Sequence, residues 1–274
     1  MRFFKYEGLG NDFVIVEQPF GSLSTGAVKD ICDRHRGVGA DGVLFTGERD
    51  GRAFMKVLNA DGSRPEMCGN GLRCVALYLV HAGIRAVGEA FEVDTDAGPH
   101  PCEVRDGQRR GAVTVQMRPA SLDAREVFQG GAARRVEVPL QLDARQVVLS
   151  AVSMGNPHLV TFETLTPEAQ EQIGPQLETD SRLRAGANVG FATMKAEGGL
   201  SLRVWERGVG WTQACGTGAC AAAVAAVETG RAPRGQALSV ELPGGALQIL
   251  VRGVGERLAM TGPAARVFEG SWEP

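Results

Sequence analysis

The 274-residue chain is predicted to fold as two similar domains of mixed α/β (α+β) type. Each is expected to be a mostly antiparallel, barrel-like sheet wrapped around one central helix. Three observations lead there. Residues 219–227 carry no charged side chain and stop at Gly230. A helix apolar on every face has to be buried on every face. Many short strand patterns separated by glycine turns surround this stretch, and a curved sheet is the simplest cover for such a helix. Finally, the same order of features occurs twice along the chain.

The repeat is specific in its details. Leu9-Gly10-Asn11 before a strand recurs as Met154-Gly155-Asn156, and Gly39-Ala40-Asp41 recurs as Gly186-Ala187-Asn188. Asn59 lies nine residues before Cys68, and Glu206 lies nine before Cys215. Cys68-Gly69-Asn70-Gly71 recurs as Cys215-Gly216-Thr217-Gly218. Each thiol is followed fifteen residues later by a helix-stopping glycine, Gly83 and Gly230. A period of about half the chain means a duplicated domain and not a solenoid. The repeat sets the expected boundary between 117 and 118, with a C-terminal domain to 261 and an active site in the cleft between the two domains.

Taken in order, residues 2–7 and 12–17 read as strands joined by a turn at 8–11. Ser24 caps a helix expected to run to about His35. Residues 37–42 form a loop, and strands follow at 43–46 and 53–59. The segment 65–74 leads into a largely apolar helix through Val80. Strands are expected at 90–95, 100–105 and 112–117. Residues 119–135, with Gly130-Gly131, read as a loop that crosses between domains. Strands resume at 135–140, 146–153 and 159–162. Thr166-Pro167-Glu168 combines a cap, a first-turn proline and a first-turn acid, and starts a helix. Strands at 191–195 and 201–206 precede the Cys215 helix, and strands at 238–242 and 247–252 follow it.

Composition narrows the function classes. With 43% hydrophobic residues the chain can build a core, yet no apolar run is long enough for a membrane span. The first residues lack a signal-peptide pattern, so a cytoplasmic location is expected. Net charge is −3 and no basic tract stands out, which argues against a nucleic-acid partner. In the cytosol six cysteines are expected as thiols, with Cys32, Cys74, Cys102 and Cys220 as packing residues. The cysteine spacings do not match a zinc site, and no phosphate loop or dinucleotide fingerprint is present. The expected partner is a small-molecule substrate, with no cofactor and no metal.

Cys68 and Cys215 each precede a Gly-x-Gly at a predicted helix start. A helix N-terminus binds anions and lowers a thiol pKa. Two such ends facing one substrate would hold a carboxylate and place a thiol on each side of a carbon. A thiolate on one side and a thiol on the other would invert a stereocentre. Each element also has a plainer explanation. Either cysteine could be a packing residue, or the pair a redox disulfide. Asn11, Asn59, Asn156 and Asn188 could be turn residues, His158 could simply pack, and Glu206-Arg207 could be a surface pair. Recurrence beside the thiols favours ligand contact.

The motifs Leu9-Gly-Asn-Asp-Phe13, Asn59-Ala-Asp-Gly-Ser63, Met67-Cys-Gly-Asn-Gly-Leu-Arg-Cys74, Ser153-Met-Gly-Asn-Pro-His158, Glu206-Arg-Gly208 and Thr212-Gln-Ala-Cys-Gly-Thr-Gly218 together resemble diaminopimelate epimerase, over essentially the whole chain. The resemblance implies a cofactor-independent isomerase interconverting LL- and meso-diaminopimelate, on the route to lysine and peptidoglycan, usually as a homodimer. It also places the C-terminal tail back on the first domain, giving expected domains of 1–117 with 262–274 and 118–261. Carried over by motif, Cys68 and Cys215 are the acid/base thiols, with His158 and Glu206 tuning their protonation. Gly69, Asn70, Gly216 and Thr217 supply N–H groups to the reacting carboxylate. Asn11, Asn59, Asn156, Asn188, Glu206 and Arg207 surround the rest of the substrate. Three departures are visible. Some members carry Gln at Gly42, many carry Ser at Thr217, and some carry Tyr at Phe268, a position associated with dimer contact. The runner-up is a two-thiol proline or hydroxyproline racemase; a thiol redox or binding protein and a phenazine-type isomerase rank below it.

Overall fold

A computed structural model of the chain describes every residue except Gln18, Glu66, Gly131, Ala132, Arg135, Asp143, Ala144, Val254 and Pro274. Gly131 of the expected glycine turn, Arg135 at the head of the expected 135–140 strand, and Pro274 of the expected tail thus lie outside the described residues. The chain divides into two compact units, Met1–Gln116 with Thr261–Pro274, and Met117–Met260.

The first half supplies β1 (Arg2–Gly8), β2 (Asn11–Val16), α1 (Thr25–Cys32), β3 (Gly42–Arg49), β4 (Arg52–Asn59), α2 (Gly69–His81), β5 (Ala90–Thr95), β6 (Gly98–Val104) and β7 (Arg110–Met117). The second supplies a short 3-10 turn (Ala124–Glu126), β8 (Val138–Gln141), β9 (Gln146–Ser153), β10 (Pro157–Thr161), α3 (Pro167–Glu178), β11 (Asn188–Met194), β12 (Leu200–Glu206), β13 (Gly210–Trp211), α4 (Gly216–Glu228), β14 (Ala237–Leu242), β15 (Gly245–Leu250) and β16 (Leu258–Ser271).

In the N-terminal unit the strand order is β1-β2-β3-β4-β5-β6-β7-β16, and β16 pairs back onto β1, closing a ring of eight strands. β1–β2, β3–β4, β5–β6, β6–β7 and β1–β16 are antiparallel, whereas β2–β3 and β4–β5 are parallel. Parallel neighbours need a crossover, and these two crossovers are α1 and α2. The C-terminal unit repeats the scheme. Its order is β15-β14-β12-β11-β10-β9-β8, with parallel pairs β10–β11 and β12–β14 spanned by α3 and α4. A 147-residue offset relates Ala53↔Val93 to Leu200↔Val240 and relates α2 to α4.

Each unit has two layers of core. Val14, Val16, Val43 and Phe45 pack with Val28 and Ile31 of α1. Side chains alternate across a strand, so Leu44 turns the other way, onto Gly71 of α2. Leu159, Val189 and Phe191 pack likewise with Ile173 and Leu177 of α3. On the other face, Val204 of β12 meets Gly218 of α4. Ala219, Cys220, Ala221, Ala222, Ala223, Ala225 and Ala226 are fully buried, which fits a helix that strands approach closely from several sides. α2 is buried over the same span but carries Arg73, also fully buried.

Three local expectations shift. α1 stops at Cys32 instead of His35, because the Asp33 carboxylate accepts from the N–H groups of His35 and Arg36 and turns the chain. The stretch expected as a bare loop at 119–135 contains the 3-10 turn, whose Asp123 cap accepts from Arg125 N. The closing strand β16 is one 14-residue element, and the boundary between the units falls inside it. Among the described residues, no helix is long and apolar enough to cross a membrane.

Filling a close-packed helix with a larger side chain forces its surroundings apart. Ala222→Leu should destabilise the protein by about 1–3 kcal/mol, read as a lower denaturant midpoint with an unchanged slope.

Candidate active site

Two helix ends, one in each unit, hold the candidate thiols. Cys68 is the N-cap of α2, in extended conformation at φ −130° and ψ 112°, and its Sγ accepts from Gly71 N at 3.4 Å. Cys215 is the N-cap of α4 at φ −118° and ψ 107°, and its Sγ accepts from Gly218 N at 3.3 Å. Sulfur here occupies the capping place usually taken by a Ser, Thr or Asp oxygen. A donor aimed at sulfur and the positive helix end both favour the thiolate. Glycine is needed three residues on. A Cβ at Gly71 would lie 3.0 Å from Leu44 Cδ2, and one at Gly218 would lie 3.1 Å from Val204 Cγ2 and 3.2 Å from Cys215 Sγ. The first-turn N–H groups, from Gly69 and Asn70 and from Gly216 and Thr217, point out of the helix end instead of along its ladder. That is an anion cradle.

In the C-terminal unit a polar chain reaches Cys215. His158, on β10, is almost fully buried, and its Nε2 lies 3.2 Å from Asn156 Oδ1. Burial, helped by the nearby Arg207 charge, lowers the His158 pKa to about 3, so the ring is neutral and Nε2 carries the proton that Asn156 accepts. Asn156 Nδ2 donates to Thr217 Oγ1 at 3.3 Å, and Thr217 Oγ1 lies 3.6 Å from Cys215 Sγ. Each donor is thus used in turn, leaving the Thr217 hydroxyl proton for the sulfur. Glu206, at the end of β12, approaches Cys215 from another side. Burial raises its carboxyl pKa, partly offset by hydrogen bonds from Thr212 Oγ1 at 2.5 Å and from the Cys215 thiol. Arg207 is held by its backbone N–H to Asn188 Oδ1 at 3.0 Å and by its guanidinium to Ala185 O at 2.7 Å. Asn188 in turn donates to Pro157 O at 3.2 Å. Asn156, His158, Asn188, Glu206, Arg207, Cys215, Gly216 and Thr217 therefore form one neighbourhood.

In the N-terminal unit Asn70 Nδ2 donates to Asn11 Oδ1 at 3.5 Å, joining the start of β2 to the helix end that carries Cys68 and Gly69. Asn59, at the end of β4, engages Ser63 instead, through Nδ2 to Ser63 Oγ at 2.9 Å. Gly42 faces Asn59 across β3–β4, and a Cβ there would fall 2.6 Å from Leu58 O. The Gln of some relatives would need those strands to move apart. Cys32, Cys74, Cys102 and Cys220 are buried; burial pushes Cys32 up to about 11 and raises Cys74 and Cys102 further.

Sequence reasoning gave Asp41 and Arg73 no place in the site. Asp41 accepts from Asn11 Nδ2 at 2.5 Å, and Arg73 donates to Asn70 Oδ1 at 2.7 Å. Arg73 had a signal: it is the one charged residue between Gly69 and Val80. Chemistry, not concavity, marks these residues. A 410 Å³ cavity in the N-terminal unit is lined by Phe20, Arg49, Asp50, Arg52, Phe54, Lys56 and Asp94, and includes none of them. Among the described residues, no three His, Cys, Asp or Glu side chains gather so as to hold a metal ion.

Comparison with known proteins fits this geometry. A family model described as diaminopimelate epimerase matches residues 3–122 and 150–267. The diaminopimelate epimerase of Desulforudis audaxviator is 45% identical, covering 99% of both chains. That of Synechococcus elongatus is 44% identical, over 100% of this chain and 98% of its own. That of Microcystis aeruginosa is 41% identical, over 98% and 97%. Among solved structures, a probable proline racemase from Agrobacterium radiobacter K84 superposes with a TM-score of 0.70 at 15% identity, covering 99% of this chain and 92% of its own. A Bacillus anthracis phenazine biosynthesis protein of the PhzF family gives 0.69 at 14%, over 100% and 99%. At such identities these likenesses show a shared fold alone. The sequence matches go further: the chain belongs to the diaminopimelate epimerase family.

Proposed function

We propose that the chain is a cofactor-independent isomerase that interconverts LL- and meso-2,6-diaminopimelate by proton transfer between Cys68 and Cys215. The observation that carries this reading is the same thiol cap on equivalent buried helices of the two units, in a chain of this family. The mechanism requires both helix ends at one α-carbon, and so a substrate gripped by both halves of the chain. One thiolate removes the α-proton, and the opposite thiol delivers its own to the other face. The thiol and thiolate have then exchanged roles, and charge and protons balance. First-turn N–H groups of α2 and α4 hold the carboxylate and stabilise the carbanionic transition state.

The surroundings of Cys215 support its entering as the protonated partner in the state described. Its S–H donates to Glu206, whose buried carboxyl is itself biased toward taking up a proton. Asn11, Asn59, Asn156, Asn188 and Arg207 are the proposed contacts to the remaining amino and carboxylate groups. An acyclic substrate with two such pairs suits this set better than proline does. We also propose a cytoplasmic homodimer; exposed Val267 and Phe268, on β16, with Phe268 edge-on to Phe3, make that strand the candidate contact.

A coupled or polarimetric assay on LL-diaminopimelate with no added cofactor tests the reading. Solvent deuterium should enter the α-position. Exchange with proline but not with diaminopimelate would overturn it. Cys68→Ala and Cys215→Ala should each lower turnover by at least about 10²-fold, the scale of a lost general acid or base. Turnover retained in either variant argues for a one-base route.

Two pH dependences follow from the buried groups. The His158 pKa is depressed from 6.5 to about 3, so the unfolded chain binds more protons between those values, and stability should rise with pH across that window. His158→Gln should flatten that rise in urea titrations. Glu206 behaves in the opposite sense. Its raised pKa makes the folded state bind protons more tightly, so its contribution falls as pH climbs above 4.5 and levels off past the folded value. Glu206→Gln should remove that fall while lowering kcat; a variant with wild-type kcat removes Glu206 from the mechanism.

A further inference from the structure

Asn11 and Asn70 sit in the middle of a longer chain of polar groups in the N-terminal unit, and the ends of that chain are not ambiguous. At one end is Arg73, fully buried in α2. Its guanidinium donates to Asn70 Oδ1 at 2.7 Å, to Gly69 O at 3.3 Å and to Pro263 O at 3.1 Å. At the other end is Asp41, whose Oδ2 accepts from Asn11 Nδ2 at 2.5 Å and from Asp12 N at 2.9 Å. Arg34 clamps it by donating to Oδ1 at 2.7 Å, and also donates to Asp12 Oδ1 at 2.7 Å. Behind Asp12 lies the buried Lys5, which donates to Asp12 Oδ2 and Gly39 O.

An amide can present either its oxygen or its NH₂ to a neighbour, and its network decides which. A guanidinium only donates and a carboxylate only accepts. Arg73 therefore has to meet the oxygen of Asn70, and Asp41 has to meet the NH₂ of Asn11. That leaves the Asn70 NH₂ facing the Asn11 oxygen, as observed at 3.5 Å. Turning either amide over would set two oxygens or two NH₂ groups against each other at one link and break a charged hydrogen bond at another. Only one arrangement satisfies every member.

We infer that Asp41 and Arg73 are positioning residues for the proposed reaction, fixing which end of the Asn11 and Asn70 amides each presents to substrate. Asn70 belongs to the first turn of the helix that Cys68 caps, so the same chain holds the N–H cradle of α2 in place. The C-terminal unit has no copy of this device. At the positions equivalent to Asp41 and Arg73 stand Asn188 and Cys220. A buried cation near a helix N-terminus opposes the helix dipole and carries a desolvation penalty. Its presence in α2 and not in α4 is what a role in orienting Asn70 explains.

The role in catalysis rests on the epimerase reading; the amide orientation does not, and the test separates them. In protein labelled with ¹⁵N at asparagine side chains, the Asn11 NH₂ should give a shifted, slowly exchanging pair. Asp41→Asn should move that pair and speed its exchange, and Arg73→Lys should do the same at Asn70. In steady state, Asp41→Asn should raise KM for diaminopimelate about tenfold, the scale of one charged hydrogen bond. In an Asn11→Ala background it should add less than twofold, because Asp41 acts through Asn11. Fully additive effects, or Asn11 resonances unmoved by Asp41→Asn, would overturn the inference. So would an Asn11 amide that exchanges in the wild type as fast as an exposed one, a result that needs no variant to fold. If the wild type proves inactive on diaminopimelate, the proposed function fails while the resonances still decide the orientation.

Discussion

A helix end exposes N–H groups that its own backbone cannot use, and the aligned peptide dipoles make that end positive. Both properties weaken in bulk water and strengthen where water is scarce. The fold of each unit meets that condition with the same device. α2 and α4 are surrounded by strands along their length, and each has a sulfur as its N-cap. Much else is subordinate to it. The alanines of α4 let strands approach closely. Gly71 and Gly218 let a neighbouring strand side chain come within van der Waals range of the first turn. The parallel pairs β4–β5 and β12–β14 exist because each is joined through one of these helices.

Duplication produced two such ends, yet their surroundings differ in chemistry. Around Cys215 the partners are a buried carboxyl, a hydroxyl and a neutral histidine relayed through an amide. Around the first turn of α2 they are two amides held between a guanidinium and a carboxylate. In the proposed two-base reaction one sulfur begins with a proton and the other without, and each exchanges that state at every turnover. The halves are alike in the packing around each helix and differ in the polar side chains at its N-terminal end. A probable proline racemase and a phenazine biosynthesis protein share this architecture at about 15% identity, so the architecture by itself does not set the activity.

Which parts were legible in the sequence depended on the range of the interactions involved. Capping, glycine stops and apolar periodicity are local, and the helices at Thr166 and after Cys68 and Cys215 start where their caps say they should. Strand ends were less legible. β11 begins at Asn188, three residues before the expected strand start at 191, because pairing with His158 of β10 extends it. The early stop of α1 at Cys32 turns on a hydrogen bond from the Asp33 side chain that outcompetes another helical turn. Asp41 stood out in the sequence only as a repeat position, because its partners, Asn11 and Arg34, are joined to it only once β2 and β3 lie side by side.

The sequence by itself determined the duplication, the two thiol-capped buried helices and the family, because each is written in residue types at short, repeated spacings. Only the tertiary structure decided how the side chains around those helix ends are oriented. It showed that Arg73 is buried and turned back toward Asn70, that Asp41 holds Asn11, that Thr217 lies between Asn156 and Cys215, and that Glu206 meets Cys215. The physical reason is that a hydrogen bond has a direction and a burial has a boundary. Neither exists until strands distant in the chain have paired around the helix.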